Sequence, residues 1–471
     1  MRKFPLFILL FVAFVFSEST DIRTKFLLLY YGGEFEKAHE LIKQAFPDPT
    51  TAQVWEERIH LHKAIANCDY KKGSTSAIEA MALLRIGRID EAKSKCKSDD
   101  WLSRYARATL AYWSADFNSA RTEIEQALAI EPERPELLYF AGSIAQSPAE
   151  ANAYFLKYLA VPSDDPLRRA TAEFSIDFNK KTTGLNLNDI SIGKSPQKID
   201  SEFTEERLVM KMILNEKDKL NLMVDTGASG LTVQDKEWQP KISSELMMTG
   251  LGKSNVSKAK HAVFDVLSCN QVLVKNPVVA ISPSFQSLGI NGVVGTILFS
   301  NYLILLPLKQ GMNVTLFLPD GNEPLKQLEQ NGIRFSKVTV VPFRLIEKLI
   351  LLKGRIKKGD HMDILLDTGA QQSILSAETA REYTRINFDY SARNRQSLIG
   401  LGGKTETPLI AENVEVQVGD LFREYQRMLA LNLSEISEAL GLELDLILGR
   451  DFLNGYTLLI DYQNSKVFFL K

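Results

Sequence analysis

The chain has 471 residues, 45% of them hydrophobic and 24% charged, with a formal net charge of -2. That length holds two to four domains, and the composition is that of a folded soluble chain. The charge balance excludes a basic nucleic-acid binder. Five scattered histidines and three cysteines give no metal or cofactor site and too few thiols for a disulfide scaffold.

At the N-terminus, Arg2 and Lys3 precede an unbroken apolar run from Leu6 to Phe16. The run is too short to span a bilayer comfortably. Val15 and Ser17 occupy the small-residue positions before a cut after Ser17, so residues 1–17 read as a signal peptide and the chain as exported, periplasmic or secreted. An uncleaved N-terminal anchor is the alternative. Of the three cysteines, Cys68 and Cys96 fall in the next region, where export would allow them to pair; Cys269 stands apart. Small unpaired thiols are the equal reading.

Residues 18–160 read as helices. Three pieces resemble one another: Gly33-Glu34-Phe35-Glu36-Lys37-Ala38, Gly87-Arg88-Ile89-Asp90-Glu91-Ala92 and Ala115-Asp116-Phe117-Asn118-Ser119-Ala120. Each runs from a turn through an apolar residue to an alanine three places on. After the third piece, Ala127 to Ile130 continue the helix and Pro132 stops it. This pattern resembles the tetratricopeptide repeat. The alanine spacings are unequal and depart from that repeat's period of about 34. Such an array implies a protein or peptide partner in its concave face; a helical spacer or a lid is the plainer expectation.

Val161-Pro162-Ser163-Asp164-Asp165-Pro166 breaks the helical pattern, and residues 161–195 read as a linker. Beyond it the chain alternates short β-type runs with polar turns. Two stretches stand out: Leu222-Met223-Val224-Asp225-Thr226-Gly227-Ala228 and Ile364-Leu365-Leu366-Asp367-Thr368-Gly369-Ala370. Each is a strand that delivers one acid to a tight turn. A strand and turn precede each, Leu208–Leu214 with Asn215–Lys219 and Leu349–Ile356 with Lys357–His361. A glycine-rich tip follows each, Gly250-Leu251-Gly252 and Gly400-Leu401-Gly402-Gly403. Then come an apolar pair and glycine, Val293-Val294-Gly295 and Ile447-Leu448-Gly449, and closing strands at Leu303–Leu308 and Thr457–Tyr462. The same order in two halves, 196–320 and 321–471, is an internal repeat.

These motifs resemble the lobes of the aspartic peptidases, and more closely the retropepsin-like ones. The second half carries the whole pattern, including Arg450-Asp451 after Gly449; the first departs at Lys253 in the flap and at Thr296-Ile297 after Gly295. The resemblance covers residues 200–471. It implies a multidomain chain, an N-terminal all-α helical repeat followed by two β-rich acid-protease-like lobes. The catalytic unit would be a monomeric pseudo-dimer acting on peptide or protein substrates without a cofactor.

In that reading Asp225 and Asp367 form the catalytic pair. Two adjoining carboxyls cannot both ionise easily, so they share a proton and activate a water between them, as the two acids of pepsin do. The resemblance assigns Thr226 and Thr368 to bracing the two turns. Gly227 and Gly369 leave room for backbone beside the acids, and Ala228 and Ala370 keep the site small. The tips Gly250–Gly252 and Gly400–Gly403 would close over an extended substrate. Two other functions use the same residues: a catalytically silent peptide-binding protein, and a repeat scaffold in which the lobes only assist assembly. An isolated Asp-Thr-Gly is an ordinary turn; the weight rests on its duplication.

Overall fold

The computed structural model describes residues 22–471 apart from 32–34, 67–75, 162–165, 194, 205–206, 249–256, 283–288, 309–311, 319–322, 357–360, 388–398, 401–402, 405–408, 434–435 and 438–439. The signal-peptide region, Cys68 and the tip Gly250-Leu251-Gly252 therefore lie outside the described residues. The chain divides into two compact units, one holding the helices up to Thr183 and the segment Ser434–Glu443, the other taking most of the chain from Gly184 on.

In the first unit, helices follow one another from Ile22–Tyr31 to Pro166–Lys181. Their starts are set by side chains that satisfy free backbone donors. Asp100 accepts from the amides of Leu102 and Ser103 ahead of Trp101–Trp113; Asp116 accepts from Ser119 N ahead of Phe117–Ile130; Ser147 accepts from Glu150 N ahead of Pro148–Ala160. The three repeated alanines, Ala38, Ala92 and Ala120, are all fully buried. Small residues there let neighbouring helices close on one another. Ala120 lies with Ala108, Ile124, Ala127 and Leu137 in one core, and Ala38 with Phe26, Ile42, Trp55 and Ile59 in another. Cys96 is a buried free thiol whose Sγ donates to the Ala92 carbonyl. Within this unit the Glu443 amide donates to the Arg85 carbonyl, 2.7 Å away, and the Arg85 guanidinium pairs with the Glu443 carboxylate.

The stretch 161–195 is not the linker its prolines and polar residues imply. Residues Pro166–Lys181 form a 16-residue helix whose Ala172, Phe174, Ile176 and Phe178 are buried. A proline in the first turn loses no hydrogen bond and pre-sets the helical φ, so Pro166 opens a helix where the sequence suggested a break. Further on, Asp189–Ile192 is already a strand, paired with Val272–Lys275.

In the second unit the two halves repeat one another strand for strand. The strand Asp218–Asp225 lies antiparallel to Arg207–Leu214 and parallel to Gly292–Gly295, which in turn lies antiparallel to Leu231–Gln234. The strand His361–Leu366 lies antiparallel to Leu349–Ile356 and parallel to Leu446–Leu448, which lies antiparallel to Ile374–Ser376. Alternate residues of both acid-bearing strands, Leu222, Val224, Ile364 and Leu366, face one core continuous through the two halves, while Met223, on the opposite face of the first, packs with Val209, Ile290 and Val293.

The halves do not part at residue 320. Gln197–Ile199, Leu303–Pro307 and Val314–Phe317, all from the first half in sequence, extend the sheet of the second. Leu303–Pro307 pairs along its length with Thr457–Asp461. The closing strands of the two halves thus meet edge to edge in one sheet, and a domain boundary drawn between them in sequence cuts through it.

Candidate active site

Each acid stands where its strand ends against the glycine of the apolar-apolar-Gly strand. Gly295 is the ladder partner of Asp225, and the Asp367 amide donates to the Leu448 carbonyl. The next residue in each turn fixes the two halves to one another. Thr226 Oγ1 donates to the Leu366 carbonyl (2.7 Å) and accepts from the Thr368 amide (3.0 Å); Thr368 Oγ1 donates to the Val224 carbonyl (3.0 Å) and accepts from the Thr226 amide (3.0 Å). Both threonines are buried. Each hydroxyl therefore spends its donor and an acceptor on the opposite strand end, and neither turn can move without breaking bonds in dry surroundings.

The glycines lie against the acids of the opposite turn. A Cβ built on Gly369 would sit 2.5 Å from Asp225 Cγ, and one built on Gly227 2.8 Å from Asp367 Cγ. Only a residue without a side chain allows that approach. The same glycines donate to the acids of their own turns: Gly227 N to Asp225 Oδ1 at 2.7 Å and Gly369 N to Asp367 Oδ1 at 2.8 Å.

The pair is asymmetric. Asp367 Oδ1 accepts a second bond, from the Ala370 amide at 2.8 Å; Ala228 instead turns its amide to the Asp225 carbonyl. Burial raises the Asp225 carboxyl well above the usual carboxylate range, and the Asp367 charge and the hydrogen bond between the two carboxyls push it further. Burial raises Asp367 too, but the bond from Asp225, the Ala370 and Gly369 amides and the Arg450 charge draw it back. Both carboxyls are thus raised by burial, while the Gly227 and Gly369 amides on Asp225, and the Ala370 and Gly369 amides on Asp367, favour the charged forms. Sequence alone left the two acids equivalent.

Residues 352–452 match the family model described as aspartyl protease. The chain carries an aspartic-protease-like domain. The crystal structure of an aspartic proteinase from Irpex lacteus aligns with 59% of this chain and 97% of its own, at 12% identity and a TM-score of 0.37. No curated protein matches the chain.

Within this aspartic-protease-like domain, several supporting residues lie beyond what the sequence pattern assigned. Arg450, 3% exposed, follows Gly449, and its amide donates to the Ala370 carbonyl. Asp451 Oδ1 accepts from both the amide and the hydroxyl of Ser373, and Ser373 Oγ accepts from the Gly449 amide. These bonds pin the chain segment that leaves the Asp367 turn. The first half has no counterpart of Arg450. Thr296 stands there and hydrogen-bonds the Tyr462 hydroxyl at 2.6 Å, a buried contact to the second half. A buried threonine thus spans the halves where the sequence departs from the family pattern. Of the two glycine-rich tips, only the second is in part described. Ile399–Gly400 pairs with Gly403–Lys404 as a tight hairpin, with Leu401 and Gly402 outside the described residues.

Proposed function

We propose that this protein is an aspartic endopeptidase in which Asp225 and Asp367 form one dyad within one chain. The observation that carries the reading is the meeting of the two carboxyls on turns braced by reciprocal threonine bonds. Asp367, ionised and held by two amides, takes a proton from a water between the carboxyls as that water's oxygen attacks the peptide carbonyl carbon. Asp225 gives its proton to the carbonyl oxygen, so a neutral gem-diol forms without separated charge. On collapse, Asp367 passes its new proton to the leaving nitrogen, Asp225 recovers a proton from a diol hydroxyl, and the C–N bond breaks. The pair regains its single shared proton.

The test is hydrolysis of an unstructured protein and of short peptides by the full chain, with and without pepstatin, alongside Asp225→Asn and Asp367→Asn. Each substitution is expected to abolish turnover, and activity per molecule should not fall on dilution, because one chain supplies both acids. Near-normal turnover in either variant would sink the dyad. We also propose export, with processing after Ser17, and tetratricopeptide-like helices that hold a substrate or partner. The basic start and apolar run support the first and the buried repeated alanines the second. N-terminal sequencing of the secreted product, expected to begin at Glu18, tests processing.

A further inference from the structure

Ser373, Asp451, Arg423 and Tyr425 close a ring beside the segment that leaves the Asp367 turn. Ser373 Oγ donates to Asp451 Oδ1 at 2.6 Å. The Asp451 carbonyl accepts from the Arg423 guanidinium, which lies over the Tyr425 ring, 5.5 Å from its centre. The Tyr425 hydroxyl returns to Ser373 Oγ at 3.3 Å. A serine hydroxyl offers one hydrogen and two lone pairs. The hydrogen goes to the Asp451 carboxylate, so Tyr425 is the donor in its bond, and the other lone pair takes the Gly449 amide at 3.0 Å. Burial, and then the Asp451 charge, raise the Tyr425 hydroxyl and keep it a donor. Arg423 and Tyr425 come from the strand Leu421–Leu431, which runs parallel to Ile374–Ser376.

The ring reaches the acid through the residues after Gly449. Arg450 N donates to the Ala370 carbonyl at 2.9 Å, and Asp451 N to the Gln371 carbonyl at 3.3 Å. Ser373 holds both ends of that stretch, Gly449 by its hydroxyl and Asp451 by its hydroxyl and its amide. Ala370, gripped in this way at its carbonyl, donates its amide to Asp367 Oδ1 at 2.8 Å. Every step from Tyr425 to the carboxylate is a hydrogen bond or a peptide link.

The first half supplies the comparison. Leu231 stands six places after Asp225, as Ser373 stands six after Asp367, and Ile297 stands two places after Gly295, as Asp451 stands two after Gly449. The ladders agree with this match: Leu231 pairs with Val294, and the pairing of Ile374 with Ile447 continues to set Ser373 beside Leu448. Neither Leu231 nor Ile297 has a side-chain hydrogen-bonding group. There the Ala228 amide turns to the Asp225 carbonyl, at 3.4 Å, and not to the carboxylate. The half with the ring has this amide on its acid, and the half without the ring does not.

We infer that Tyr425, Ser373 and Asp451 are positioning residues for the reaction: acting as one unit, they hold the Ala370 amide on the Asp367 carboxylate, a brace that the first half does not repeat. This rests on the peptidase reading above.

The experiment uses the full chain and quenched peptides, with rates taken per folded molecule. Ser373→Ala removes the hydroxyl at the centre of the ring. It should lower kcat by up to about a hundredfold, the cost of a small misplacement at reacting groups, and leave KM within about twofold. The acid limb of the pH–rate profile should move to higher pH, because the charged form of Asp367 loses a donor; Asp225 and Arg450, which also act on Asp367, stay in place. Ser373→Thr keeps the hydroxyl and should restore both. Tyr425→Phe, the milder change, should lower kcat by about two- to tenfold, the size of a neutral hydrogen bond, and move the limb the same way; it decides the matter if Ser373→Ala does not fold. A melting temperature that falls while kcat and the acid limb stay at their wild-type values would make the ring merely structural and overturn the inference, as would a change confined to KM. Hydrogen exchange at the Ala370 amide separates this claim from the one beneath it. Faster exchange in Ser373→Ala but not in Ser373→Thr, without any cleavage by the wild type, would support the brace and refute the peptidase. Cleavage that depends on Asp225 and Asp367, with Ala370 exchange and kcat unmoved in Ser373→Ala and Tyr425→Phe, would refute the brace alone.

Discussion

Replacing Thr226 with valine keeps the shape of the side chain and removes one hydroxyl. That hydroxyl donates to the Leu366 carbonyl and accepts from the Thr368 amide, so two buried backbone groups lose their partners together. Each costs about 1–3 kcal/mol when left unsatisfied, which puts the loss at roughly 2–6 kcal/mol. The damage is local, so the assay is amide hydrogen exchange by mass spectrometry on peptides covering 224–228 and 366–370. Exchange at the Thr368 amide should quicken by about thirtyfold at the low end, taking 1.36 kcal/mol per decade. Turnover should fall by about a hundredfold, since a displacement of about 1 Å at reacting groups costs that much. Thr226→Ser, which keeps the hydroxyl, should stay close to wild type in both. If Thr226→Val leaves Thr368 exchange unchanged and turnover intact, the reciprocal bonds do not hold the turns and the reading of the site is wrong.

Gly369→Ala should fold but lose activity by about a hundredfold or more, because its Cβ would lie 2.5 Å from Asp225 Cγ; peptide turnover within a few-fold of wild type would refute this. The pH–rate profile should fall on both sides of an optimum that lies above the ordinary carboxylate range, because burial raises both acids. Asp367 gains a proton on the acid limb and Asp225, raised by burial and its neighbour, loses one on the alkaline limb. Arg450→Met removes a charge that lowers Asp367, so the acid limb should move to higher pH; an unmoved limb would refute that role. In the helical unit, burial alone would raise the Glu136 carboxyl, but Arg58, Arg134 and Arg168 hold it at about 2 instead of 4.5. Because the folded value is depressed, this stability is present above about pH 4.5 and is lost as pH falls toward 2, to the extent of about 3 kcal/mol. Far-ultraviolet circular dichroism should show acid loss of helix over that range, blunted in Glu136→Gln.

The two acids, their threonines and their glycines can be read from the sequence because a duplicated local pattern records them. An apolar run, a turn and a downstream apolar-apolar-Gly each need particular residues at short range. The hairpins before Asp225 and Asp367 are legible for the same reason, since alternation of strand and polar turn is local. The helix at Pro166–Lys181 escapes such a reading because proline before a helix and proline ending one look alike until the residues that follow are seen to pack. Arg450 and Asp451 are visible as a motif, but only the fold shows that one bears on Asp367 and the other fastens Ser373.

The acids, threonines and glycines of the two turns, and the repetition of the strands around them, can be traced to the sequence, because both depend on short stretches whose chemistry repeats. Tertiary structure alone decided how the repeats join and how they differ. The closing strands Leu303–Pro307 and Thr457–Asp461 pair across more than a hundred residues, a register that no local pattern encodes. The Ala370 amide and the Arg450 charge bear on Asp367, although the two turns read Asp-Thr-Gly-Ala alike. A carboxyl's proton affinity is set by the donors and charges around it, and those come from chain segments that only folding brings together.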